Sequence, residues 1–115
     1  MTTINYTAEH DAIAGCVKVE WPGLSAGDVG QAFASAGLKI ASIHYHGSFG
    51  GGAGEVQATN ELSPGAYSSI DSANSPRINL PTVNSAASLL SVGHIRPSFP
   101  SGSGSLNVSI VFLSR

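Results

Sequence analysis

The sequence predicts an all-β, single-domain antiparallel β-sandwich or barrel, jelly-roll-like, with a glycine-rich hairpin and long loops. Three observations carry this. Apolar and polar residues alternate with a period of two in several short runs. Turn signals recur roughly every ten residues, and about seven or eight short strands fit between them. No stretch sustains a helical stripe long enough to compete.

The segment from Met1 to Ile13 is polar with scattered apolar residues, among them Ile4 and Tyr6. It reads as an arm or edge strand, so residues 1–15 are set apart from a β domain over 16–115. Cys16 to Trp21 (CVKVEW) places Val17, Val19 and Trp21 on one face and Lys18 and Glu20 on the other. Pro22-Gly23 ends that strand. Leu24 to Leu38 contains Gly27, Gly30 and Gly37. A helix from Asp28 to Ala36 is possible there, but Gly30 costs it about 1 kcal/mol relative to Ala. A long loop with Val29 and Phe33 plugging the core is the preferred reading.

Ile40 to Leu62 is the most strongly patterned stretch. Ile43, Tyr45 and Phe49 share one parity, and Ser42, His44, His46 and Ser48 share the other. After Gly50-Gly51-Gly52-Ala53-Gly54, Val56 and Ala58 alternate with Glu55, Gln57 and Thr59. Glycine reaches positive φ at little cost, so the expectation is a β-hairpin. Ser63-Pro64-Gly65 is a turn, Tyr67 to Ile70 a short strand, Asp71 to Pro76 a second turn, and Arg77 to Leu80 a brief strand. Val83 to Val92 fits neither template clearly. His94 to Phe99 is extended, and Pro97 predicts an edge position or a bulge. Leu106 to Leu113 (LNVSIVFL) is the strongest strand, expected to pair with the one before it across the turn at 100–105.

Composition narrows the function. The chain has 115 residues, 10% charged, with a formal net charge of −2. A typical soluble domain carries about 25% charged residues. The polar surface therefore rests on Ser, Thr, Asn and Gly, which suits packing against neighbours more than charge repulsion. Five Lys and Arg with no cluster give no nucleic-acid footprint. Cys16 is the single cysteine, so no intramolecular disulfide is available. There is no apolar run of about 18 residues to span a membrane and no secretory signal pattern, and folding in a cytoplasm is expected.

Reaction chemistry finds little support. His44 and His46 project from one strand face and are the candidates for a metal, with His10 or His94 as a conceivable third ligand. No ligand-spaced Cys, Asp or Glu accompanies them, so a polar or interfacial face takes precedence, and no metal or cofactor is called for. Cys16 has no nucleophile–base context, and the serines lack a GxSxG elbow. The Gly50–Gly54 cluster lacks the Lys-Ser/Thr pair of a phosphate loop. Trp21, Tyr45 and Tyr67 suggest a sugar-stacking platform, but two of them lie on apolar parities, so core packing is preferred. Arg77 and Arg96 read as isolated surface or interface contacts.

The chain also resembles the small head decoration, or cement, proteins of tailed bacteriophages. The resemblance rests on VKVEWPGLSAGDVGQAF (Val17–Phe33), SIHYHGSFGGGAGEVQATNE (Ser42–Glu61), HIRPSF (His94–Phe99) and the terminal LNVSIVFL after a Gly/Ser turn. It covers about three quarters of the chain as a pattern of turns and hydrophobics without a catalytic signature. It implies a non-enzymatic virion protein on the capsid exterior, made in the host cytoplasm. Its partners would be the major capsid protein and itself, as a homotrimer, with no nucleic acid and no membrane. The interface residues expected on this reading are Ile4, Tyr6, His44, His46, Arg77 and Arg96. The alternative is a carbohydrate-binding or adhesion β-sandwich on a virion surface.

Overall fold

The computed structural model describes residues 3–11, 15–35, 38–60, 66–79 and 93–113. In chain order the strands are β1 (Thr3–Ile4), β2 (Thr7–Asp11), β3 (Cys16–Leu24), β4 (Asp28–Gly30), β5 (Phe33–Ala34) and β6 (Lys39–Gly47). They continue with β7 (Ala53–Thr59), β8 (Ser68–Ala73), β9 (Arg77–Asn79), β10 (His94–Ser101) and β11 (Leu106–Leu113). Two sheets face each other as a β-sandwich. One has the order β1-β4-β10-β7-β8, with β5 also paired to β10; the other has the order β2-β3-β11-β6-β9. The one parallel pairing among the described strands joins β1 and β4.

The all-β sandwich and the inward parities agree with the sequence reading. Val17, Val19 and Trp21 of β3, Ile43 and Tyr45 of β6, and Val108, Ile110 and Phe112 of β11 line the inner face of the five-stranded sheet. Val56, Ile95 and Phe99 come from the other sheet and join the same cluster. Such a core is the dominant stabilising element, because burying a large apolar side chain contributes about 1.5–3 kcal/mol.

The pairing of the strands departs from expectation. β6 and β7 are not the two arms of a hairpin: β6 pairs with β11 and β9, whereas β7 pairs with β10 and β8. β10 and β11 likewise lie in different sheets. Both glycine-rich connections therefore cross from sheet to sheet, as connections in a jelly roll do. They also pack on each other: Ser48 N donates to Ser105 O at 3.0 Å, and Ser103 N donates to Gly50 O at 3.3 Å. A glycine-rich turn permits either a reversal or a crossing, and period two does not choose between them.

The stretch from Leu24 forms neither a helix nor a long loop where it is described. It makes a turn and the short strands β4 and β5. Asp28 acts as the turn's brace, its Oδ2 accepting from Ser25 N at 2.9 Å. Phe33 packs on the core as expected, while Val29 lies half-buried opposite Ser98. Gly30 occupies a site where a Cβ would run into Pro97 and the Trp21 ring. Pro97 itself sits in an interior strand, not at an edge. On the β4/β5 side, β10 pairs through His94 and Ile95 to β5 and through Ser98 and Phe99 to β4, so Pro97 falls in the gap between them. The expected second turn is shorter than read, since β8 runs on to Ala73. The ambiguous segment 83–92 lies outside the described residues.

Candidate functional site

The two outer sheet faces carry His44 and His46 on one side and Arg96 on the other. On the five-stranded sheet, strand register sets side chains in rows. Thr7, Glu20, Ser109, His44 and Ile78 form one row, and Glu9, Lys18, Val111 and Ser42 form the next. His44 and His46 project together, as their spacing requires, with ring centroids 4.7 Å apart and planes inclined by 34°. His46 Nε2 stands 3.5 Å from Glu20 Oε2. Lys18 Nζ lies 3.7 Å from Glu20 Oε1 and 3.9 Å from Glu9 Oε1. These pairs are open to water, so each contributes at most about 1 kcal/mol. Outside this cluster the outward residues of the sheet include Ser42, Ser109, Val111 and an exposed Ile78.

The six-stranded sheet carries a second organised group. The Arg96 guanidinium lies 3.9 Å over the Tyr67 ring, and its Nε donates to Gln57 Oε1 at 2.9 Å. Gln57 Nε2 in turn donates to Glu55 Oε2 at 2.6 Å. Burial raises the Tyr67 phenol above its ordinary range, with the Arg96 charge opposing the shift. The chain Tyr67–Arg96–Gln57–Glu55 holds the guanidinium in place on an otherwise Ser/Thr-rich face.

The structure separates most of the other sequence candidates. His94 belongs to β10 and the six-stranded sheet, and His10 takes the opposite parity to Glu9 on β2, so neither joins His44 and His46. Glu20 is the acidic neighbour that sequence reasoning missed. The outward parity of Glu20 was legible, but its approach to β6 depends on β11 lying between β3 and β6. Among the described residues, no three His, Cys, Asp or Glu form a ready-made metal group. Cys16 is half-buried, in register with Asp11 and Leu113. Trp21 and Tyr45 are fully buried, which leaves Tyr67 alone at the surface and removes the stacking platform. Ile4 and Tyr6 pack against the core of their own chain, Tyr6 meeting Trp21 and Phe33 edge to face at 6.0 and 5.3 Å. Arg77 is exposed on β9, its Nη2 donating to Ser75 Oγ at 3.2 Å. Among the described residues, no helix is long and apolar enough to cross a membrane.

No family model matches the sequence, and no curated protein matches it. Among solved structures the chain is similar to a cupin domain from Bordetella pertussis Tohama I. That similarity has a TM-score of 0.41 and 12% identity, over 93% of this chain and 90% of that one.

Proposed function

We propose that this chain is a structural virion protein, a decoration or cement protein that binds the outer surface of an expanded phage head and bridges major capsid subunits. The observation that carries the reading is the surface chemistry of the sandwich. The outer face of the six-stranded sheet sets Ser69, Ser72 and Ser98 around the Arg96–Gln57–Glu55 group, and on the other face Lys18 lies between Glu9 and Glu20. A chain with only 10% charged residues suits broad, close contacts, because interface cores are depleted in charge. The resemblance of Val17–Phe33, Ser42–Glu61 and His94–Phe99 to decoration proteins supports the same conclusion. The protein acts without turnover, as a homotrimer at three-fold or quasi-three-fold positions.

The mechanism is linkage. A protein that binds the expanded shell and not its precursor shifts the equilibrium toward the expanded state. At a free concentration of about 100 times its Kd, each occupied site adds about 2.7 kcal/mol. Summed over a shell, that opposes the internal pressure of packaged DNA.

The test is co-sedimentation of the purified chain with expanded and unexpanded heads assembled from the major capsid protein of the same phage, with light scattering of the free chain. Saturable binding to expanded heads alone, and a raised rupture temperature of decorated heads, are expected. Equal binding to both forms, or none to either, overturns the reading. A monomer in solution that still saturates the heads would remove only the preformed trimer.

A further inference from the structure

We propose that His44 and His46, with Glu20 as third donor, form a surface site for an imidazole-preferring divalent cation such as Zn2+ or Ni2+. The inference does not depend on the capsid reading. Two histidines at i and i+2 on an outer strand face aim two imidazole rings the same way. Here their rings are drawn together, with centroids at 4.7 Å.

The third donor is already at ligand spacing from His46. Two donors on one tetrahedral zinc, at bond lengths of about 2.0–2.2 Å, stand about 3.4 Å from each other. His46 Nε2 and Glu20 Oε2 are 3.5 Å apart. That is long for a hydrogen bond, for which about 2.7–3.2 Å is usual, but close to the edge of such a tetrahedron. His44 shares a register row with Glu20 across the small Ser109, which the neighbouring side chains leave only 8% exposed. No three donors already converge among the described residues. The resting site is therefore an imidazole pair with a neighbouring carboxylate, and a modest side-chain rotation completes it. The remaining coordination position faces outward, where water or a donor from another molecule can take it.

The surroundings set the sign of further effects. The charged groups facing the pair are Glu20, Lys18 and Glu9; the register neighbours from β11 and β9 are Ser109, Asn107 and Ile78. Lys18, 3.7 Å from Glu20, competes with the cation for the carboxylate. Acid weakens binding, because imidazole ligates only when unprotonated.

The experiment is calorimetric titration of the full, untagged chain with Zn2+ and with Ni2+ in a non-chelating buffer, alongside NMR of the histidine rings. One ion per chain is expected, with the His44 and His46 ring signals moving together. His44→Gln and His46→Gln should each weaken binding at least about tenfold, and Glu20→Gln about threefold. Lys18→Ala should tighten it about twofold, since Glu20 is freed. His10→Gln, His94→Gln and Cys16→Ser should leave it unchanged. All these side chains are at least partly exposed, and circular dichroism verifies that each variant is folded. Absence of saturable binding up to about 1 mM cation, or binding indifferent to His44→Gln and His46→Gln, overturns the site.

Discussion

Tyr45 enters the core through the alternation of β6, yet it takes a hydroxyl with it. A buried hydroxyl needs a partner, or it costs about 1–3 kcal/mol. It donates to Asp71 Oδ2 at 2.6 Å, and the same oxygen accepts from Asn79 Nδ2 at 2.9 Å. Three strands, β6, β8 and β9, are thereby tied across the two sheets. The inward parity of Tyr45 was legible in the sequence. Its partner was not, because Asp71 opens a run rich in turn residues, and only pairing with β7 draws it into a strand. Tyr45→Phe should destabilise the protein by about 1–3 kcal/mol in urea unfolding, with the fold retained. Burial, followed by the Asp71 hydrogen bond and charge, raises the Tyr45 phenol well above its ordinary range. The folded pKa exceeds the unfolded value of about 10, so this contribution is complete below about pH 10 and is lost as pH rises beyond it. Spectroscopic titration of the native protein should show Tyr45 failing to ionise until unfolding. Its ionisation in step with exposed tyrosines would contradict the tie.

At the scale of elements, the two crossing connections bear on stability and on the limits of pattern reading. Alternation identified β3, β6, β7, β10 and β11 because each has one buried face. It was silent on partners, since a strand of β6 buries the same residues whether its neighbour is β7 or β11. For the same reason the shared face of His44 and His46 was readable within one strand, whereas Glu20 required the order β3-β11-β6. What makes the crossings possible is the mutual fit of their glycines. A Cβ on Gly52 would strike the backbone of Ser101, and one on Gly104 would strike that of Ser48. Gly51, at φ +81°, faces open space. Gly51→Ala should therefore carry only the conformational cost of the left-handed region, about 1–2 kcal/mol. Gly52→Ala and Gly104→Ala add a backbone clash and should cost about 3 kcal/mol or more. Thermal unfolding of the three variants compares them directly. Equal losses at Gly51 and Gly52 would mean that the connections do not rely on close stacking.

Over the whole molecule, the sandwich has two open sides, and the chain closes both. On one side β8 and β9 are the edge strands, bridged by Asp71 and Asn79. On the other, the chain steps from β1 in one sheet to β2 in the other, and between them Tyr6 covers the inner aromatic residues. Tyr6 rests against Trp21 and Phe33, and Phe33 against Phe112 at 5.2 Å. Trp21 is the single tryptophan, fully buried, with Nε1 donating to Gln31 O at 2.8 Å. Its emission therefore reports whether this side is closed. Tyr6→Ala should cost about 1–3 kcal/mol, below the 3–5 typical of a fully buried aromatic because Tyr6 is only half-buried. It should also shift Trp21 emission to the red and admit acrylamide quenching, whereas Tyr6→Phe, which retains the edge-to-face contact, should change neither. This constrains assembly as well. Ile4 and Tyr6 were expected to meet a partner, but in the isolated chain they seal its own core. A partner that drew Tyr6 away would have to cover Trp21 in its place. If the proposed assembly on a capsid leaves this side as it is, Trp21 emission stays constant through it. A red shift on binding would show instead that the N-terminal strands exchange or detach.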